Sequence, residues 1–388
     1  MKGYWNNKPQ TNNNDKRESN LGFFQSIYRY LINLIKKNPQ QNSNEINKKL
    51  NESINYYTHY YQNNINYHVE DPSISQNGII NLLNDCYIVS FLQILYHTPN
   101  FLKILKKFYI KNNESIINYL IIVSEYPFNA QHFYKLKQLF SLINPDYSKP
   151  LSNDSQEFGI DLINYLISET KEPIFENNNE IQDYSEEKDF INLKRMVLKN
   201  YISTYQKKLN EIEKLFLFNQ IDIFCGENYQ NPTISSNLHL ELTLQNFIEY
   251  TELENLIEQK YNNKNNNPKN NQIIIKSKII SLPEILIITI NRVVNNKNIN
   301  NTKLLFKETL DLKNYIDYDL FQDYNKKTSY HLYAINECVH GNKYSHYKCY
   351  IKLKDKWLIF DDEKRVVEFH GAFKNSSFIV GLFYKRDN

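Results

Sequence analysis

Three residues of the types needed to cleave an acyl bond sit in this sequence at positions where they could cooperate. Cys86 lies in NGIINLLNDCYIVSFLQIL, directly after Asp85 and ahead of Ile88, Phe91, Leu92 and Leu95, which repeat at helical spacing. That puts Cys86 in the first turn of a helix, where unpaired backbone N–H groups and the helix dipole favour an anion. Cysteine is also a common packing residue, so position alone leaves both readings open. A cysteine nucleophile needs a base, and the base needs a group to orient it. Of the nine histidines, His346 has the best surroundings, because it opens the strand-like run HYKCYIKL. In that run His346, Lys348 and Tyr350 share one face and Tyr347, Cys349 and Ile351 the other, so Cys349 reads as a core residue. KWLIFDD follows, a strand ending in two carboxylates. If the two strands are hairpin neighbours, Asp361 falls beside His346 and can fix its tautomer. A strand-ending Asp-Asp pair is also a common solvated turn.

The elements that must position these residues change character along the chain. Residues 1–65 are rich in Asn, Gln and Lys and read as a polar extension with too little apolar surface to order alone. One amphipathic helix is expected there, at about 21–37, able to dock on the main domain, a partner or a membrane surface. The main domain is expected over 66–388. Residues 86–110 and 153–168 read as helices, with further helix in 114–145, and 170–214 reads as helical or irregular. Beyond these, IIIKSKII, EILIITINR, YHLYAINE, HYKCYIKL, KWLIF and SSFIVGLFY read as strands. The tract KYNNKNNNPKNNQ between them reads as a disordered or mobile loop. Helices first and antiparallel-type strands later predict an α+β protein.

Composition narrows the function classes. A formal net charge of +3, with no run of five or six like charges, gives no electrostatic reason to expect nucleic-acid binding. Four cysteines without a CxxC pair do not make a disulfide framework in a chain of 388 residues, which predicts a reducing, intracellular (cytoplasmic or nuclear) setting. No apolar signal segment opens the sequence, and LGFFQSIYRYLINLI is too short to span a bilayer.

Taken together, the segments resemble the ubiquitin-specific proteases, papain-like deubiquitinating enzymes. The family box GLxNxGNTCYMNSxLQxL is met by GIINLLNDCYIVSFLQIL, and QQDAxEF by SNDSQEF. The closing box YxLxAVxxHxG…GHYxxY…WxxFDD is met by YHLYAINECVHGNKYSHYKCYIKLKDKWLIFDD. The boxes stand in the family's order from about residue 77 to residue 386. The resemblance implies a fold of fingers, palm and thumb, with a helical thumb and antiparallel β palm and fingers. It implies Cys86 as nucleophile, His346 as general base, Asp361 as orienting acid and Asn81 as oxyanion donor. It also implies that Asp154 and Glu157 contact ubiquitin's basic C-terminal tail and that Tyr347 walls the channel for its Gly-Gly end. Asp154 with Glu157 equally reads as an N-cap pair, and Tyr347 as a core tyrosine.

Departures from the pattern carry their own expectations. Leu83, Asp85 and Val89 stand where the family has Gly, Thr and Asn, and Ser345 where it has Gly. Leu83 and Ser345 are expected to narrow the tail channel, and Asp85 to set a carboxylate against the thiolate, slowing the enzyme. The family often binds zinc in the fingers through two CxxC pairs. Here Cys225 has Asn228 at the second position and no later pair, so no metal or other cofactor is expected. The alternatives to a deubiquitinase are a catalytically weak ubiquitin-binding relative and a protease for a ubiquitin-like modifier.

Overall fold

The computed structural model describes residues 78–82, 84–171, 190–204, 209–225, 230–262, 265–267, 272–294, 298–321, 327–340, 345–364, 366–371, 373 and 377–387. All of these belong to one compact unit, Val69–Asn388. The expected N-terminal helix and Leu83 lie outside the described residues.

The helices come first. Helix α1 (Cys86–Tyr96) is an unbroken apolar run without Gly or Pro. It stops before Pro99, with His97 Nδ1 and Thr98 Oγ1 2.8 and 2.9 Å from the carbonyls of Gln93 and Ile94. Helices α2 (Phe101–Leu105), α3 (Ile116–Glu125) and α4 (Ala130–Leu139) follow. The last two are capped by Ser115 and Asn129, whose side chains accept from backbone N–H groups of the first turn. Helix α5 (Ser155–Thr170) is capped by Asp154, whose carboxylate accepts from the N–H groups of Gln156 (2.7 Å) and Glu157 (3.0 Å). Helices α6 (Phe190–Thr204), α7 (Glu211–Phe216) and α8 (Leu253–Asn262) complete the set, α7 opening with a reciprocal Asn210–Glu213 capping box.

The strands are β1 (Phe218–Cys225), β2 (Gln230–Asn237), β3 (His239–Thr243), β4 (Tyr250–Glu252), β5 (Asn265–Asn267), β6 (Gln272–Ser281), β7 (Ile285–Asn291), β8 (Val293–Val294), β9 (Asn298–Ile299), β10 (Lys303–Leu305), β11 (Thr309–Asp311), β12 (Ser329–His340), β13 (Ser345–Leu353), β14 (Lys356–Phe360), β15 (Val367–Glu368) and β16 (Ile379–Arg386). They form a finger-like sheet in the order β2-β1-β6-β5 and a large sheet in the order β15-β14-β13-β12-β16-β7-β3. Every pairing in the large sheet is antiparallel except β3 with β7. The α+β class and all six expected strands are present. Three details differ from expectation. Lys260–Asn262, the start of the tract read as a loop, close α8, where Tyr261 is buried. Asn265–Asn267, within the tract read as a loop, pairs as β5 with β6, because ladder hydrogen bonds come from the backbone and need no apolar side chain. The segment read as helix over 86–110 breaks at His97–Asn100, where Pro99 precedes an Asn100 in the left-handed region (φ 65°).

Helix α1 is wedged between the large sheet and α5. Phe91 makes edge contacts with Phe383 of β16 (5.6 Å between ring centres) and Phe158 of α5 (6.5 Å). Tyr87 meets Phe158 at 5.7 Å. This three-way packing fixes the start of α1 against β13. Among the described residues, no helix is long and apolar enough to cross a membrane.

Candidate active site

Cys86 occupies the first position of α1 and is 4% exposed. His346 is the second residue of β13, the strand beside β14 in the register Cys349↔Phe360. That register carries Asp361, the first residue after β14, to the His346 ring, and Nε2 lies 2.7 Å from Asp361 Oδ1. The ring also reaches the Cys86 thiol, and with Nε2 engaged by Asp361 the nitrogen left for sulfur is Nδ1. The Asp361 hydrogen bond, then the contact with Cys86, raise the His346 pKa to about 10 against the opposing effect of burial. Burial pushes Asp361 upward, but hydrogen bonds from His346 and Lys364 together outweigh it and hold the carboxyl at about 2. Lys364 Nζ sits 2.7 Å from Asp361 Oδ2, so both carboxylate oxygens are engaged.

Asn81 comes from the segment before α1 and is held on three sides. Its Oδ1 accepts from the Asp85 N–H (3.0 Å), its Nδ2 donates to Asp362 Oδ2 (2.9 Å), and its own N–H donates to Glu363 Oε2 (3.2 Å). One Nδ2 hydrogen remains for a ligand. Gly78, just upstream, lies so close to this loop that a Cβ there would fall 1.7 Å from the Asp362 carbonyl oxygen. Burial and then the Glu363 charge raise Asp362 to about 7, and its Oδ1 is buried without a hydrogen-bond partner. Sequence reading placed a carboxylate pair here but gave a role only to Asp361. Asp362 and Glu363 are the pair that grips Asn81.

Asp85 also departs from expectation. Its side chain does not cap α1 and does not stand bare against the thiol. It is fully buried and forms an ion pair with Lys137 of α4, itself 4% exposed. Nothing in the local sequence marks Lys137, which reads as one polar residue of an amphipathic helix.

Asp154 performs the capping role expected of it, while Glu157 makes no return bond to close a capping box. Both line an open cleft of about 520 Å³ together with Asp161, Glu241, Arg292 and Tyr347. Arg292, whose Nε and Nη1 donate to the carbonyls of Ile379, Asn300 and Thr302, brings one positive charge to the wall and leaves the carboxylates in excess. Burial lowers the pKa of both cleft histidines, His239 and His340, which keeps them neutral. The described lining of the cleft is therefore acidic on balance. Tyr347 is 5% exposed, so it is a core tyrosine and a cleft wall at once. Ser345 turns its hydroxyl to His340 Nδ1 at 2.9 Å. The two CxxC pairs that hold zinc in the family's fingers cannot be assembled from the cysteines of this chain. Of its four cysteines, Cys86 starts α1 while Cys338 and Cys349 are buried in the large sheet, leaving none to join Cys225 of β1.

The profile of the family described as ubiquitin carboxyl-terminal hydrolase matches residues 77–383, which takes in every residue of this site. The chain belongs to that family. As a member of the ubiquitin carboxyl-terminal hydrolases it is a cysteine-type deubiquitinating protease. No curated protein matches the chain by sequence. Solved structures that it resembles include the Ubp8-Sgf11-Sgf73-Sus1 SAGA DUB module, at 19% identity and a TM-score of 0.59 over 89% of this chain and 75% of that one. The SAGA Ubp8/Sgf11/Sus1/Sgf73 DUB module bound to ubiquitin aldehyde matches at 17% identity and 0.59, over 89% and 76%. A structure of the yeast SAGA DUBm matches at 17% and 0.57, over the same shares. At this identity they speak for the fold, an α+β architecture common to all three.

Proposed function

We propose that this hydrolase cleaves the isopeptide or peptide bond after the C-terminal glycine of ubiquitin through Cys86, His346 and Asp361. The observation that carries the assignment is the His346 ring held between the Asp361 carboxylate at 2.7 Å and the thiol at the head of α1. With the proton of the Cys86–His346 pair held on His346 Nδ1, the sulfur attacks the glycine carbonyl carbon. Oxyanion charge develops where the remaining Asn81 Nδ2 hydrogen can meet it, a contribution of about 3–4 kcal/mol in comparable sites. The imidazolium gives its proton to the departing lysine amine, leaving a thioester. Water then attacks the thioester as His346 takes its proton, and the thiolate leaves with the glycine carboxylate released. Asp361 holds the ring and stabilises its charge without itself taking the proton.

Asp154 and Glu157, with Asp161 and Glu241, recognise the basic tail in the acidic cleft, and Tyr347 walls its glycine end. The unpaired state of Cys86, Cys338 and Cys349 supports work in a reducing compartment inside the cell. The test is ubiquitin carrying a C-terminal electrophile, incubated with the wild-type chain and with Cys86→Ala. A covalent adduct of wild type alone is expected. Folded wild type that forms no adduct sinks the reading for ubiquitin, and an adduct only with the probe of a ubiquitin-like modifier reassigns the substrate.

A further inference from the structure

The residue before the nucleophile carries a negative charge that the chemistry of a thiolate should oppose, yet the structure answers it. Asp85 is 0% exposed and its carboxylate is paired with Lys137, which reaches in from the last turn of α4 and is 4% exposed. Its backbone faces the other way. The Asp85 carbonyl accepts from Val89 N–H (2.8 Å) as the first hydrogen bond of α1, and its N–H holds Asn81 Oδ1 at 3.0 Å. One residue thus joins α4, the start of α1 and the Asn81 amide. A buried carboxylate on the residue next to the nucleophile, in surroundings of low polarity, would disfavour a thiolate there if it stood alone. Paired with an ammonium it presents the reaction centre with a dipole instead of a net charge.

We propose that Lys137, acting through Asp85, is a positioning residue for catalysis. It cancels the charge beside Cys86 and anchors the turn from which Asn81 is aimed. Neither residue touches the reacting atoms. The inference rests on Cys86 being the nucleophile, but its test reads the thiol directly and needs no ubiquitin.

The experiment compares full-length wild type, Lys137→Met, Asp85→Asn and the double variant. Each is reacted with iodoacetamide at pH 7, the modified Cys86 peptide is quantified by mass spectrometry, and folding is checked by circular dichroism. Lys137→Met leaves the carboxylate without that ammonium and should slow Cys86 alkylation about tenfold. Asp85→Asn removes the negative charge next to Cys86 while keeping Lys137 and should speed it about threefold. The neutral double variant should return to within about threefold of wild type. A merely structural pair predicts no acceleration in Asp85→Asn and no rescue in the double variant. Folded Lys137→Met with wild-type alkylation, or Asp85→Asn no faster than wild type, overturns the proposal. If Lys137→Met does not fold, the sign of the Asp85→Asn change decides alone.

Discussion

At the scale of single residues, the site is a chain of paired charges whose pH behaviour follows from its links. His346 has an ordinary value of 6.5 and is raised to about 10, so its contribution to stability is complete below 6.5 and lost as pH rises through about 10. Asp361 is lowered from 3.8 to about 2, so its contribution is complete above 3.8 and lost as pH falls through about 2. The imidazolium proposed to protonate the leaving amine is therefore favoured well above neutrality. Asp361→Asn removes the first cause of that shift, and the alkaline limb of kcat/KM against pH should move to lower pH. An unmoved limb would mean that Asp361 does not set the His346 proton. The limb belongs to the coupled His346–Cys86 pair and not to the ring alone. Asn81→Ala should lower kcat about 10²–10³-fold with little change in KM, measured on a fluorogenic ubiquitin substrate. The meeting of His346 with Cys86 and Asp361 was legible in the sequence because each sits in a short box. Lys137 was not, because a lysine on an amphipathic helix reads as solvent-facing until a distant buried carboxylate is found opposite it. Asp362 and Glu363 were half legible, since sequence shows that carboxylates are present but not which of them turns inward.

At the scale of elements, two contacts set the active-site helix and its neighbour. Gly159 of α5 faces the Phe91 ring so closely that a Cβ would fall 2.0 Å from Cζ. Gly159→Ala should therefore destabilise the fold by about 1–3 kcal/mol in urea unfolding. Adding Phe91→Leu should recover part of that loss, and strict additivity of the two changes would show that they do not share the contact. Asp154 serves both helix and cleft, and the two roles separate by substitution. Asp154→Ala should cost about 1 kcal/mol of stability and raise KM, while Asp154→Ser should keep the cap and lose only substrate binding. Equal KM for Asp154→Ser and wild type would remove Asp154 from substrate recognition. The helices between Cys86 and Thr170 and the six strands were legible from periodicity of 3.6 and 2, whereas α8 was not read as a helix. Strand β5 was not, because three asparagines carry no pattern, and the parallel β3–β7 pairing was not, because it depends on a long connection that local sequence does not specify.

At the scale of the whole molecule, the cleft collects carboxylates from several elements. Asp154 precedes α5, Glu157 and Asp161 lie on it, and Glu241 lies on β3. Attraction for a basic tail across such a field weakens as the screening length falls from about 30 Å at 0.01 M salt to about 8 Å at 0.15 M. KM should rise over that range while kcat changes little, and a salt-independent KM would show that apolar contacts carry recognition. The cleft was not legible as an acidic whole, because Asp161 and Glu241 fall outside any box and only the fold brings them beside Asp154. The junction of Asn81 with Asp362 has a consequence in time. The two are 281 residues apart in sequence, and Gly78 is seated on the same late loop. At about 5–20 residues per second, a ribosome would synthesise the head of α1 tens of seconds before the residues that complete its site. During that interval the nascent chain carries a thiol with neither base nor oxyanion donor in place. It would be inert as a protease while still emerging among the ubiquitin-tagged chains it later cleaves.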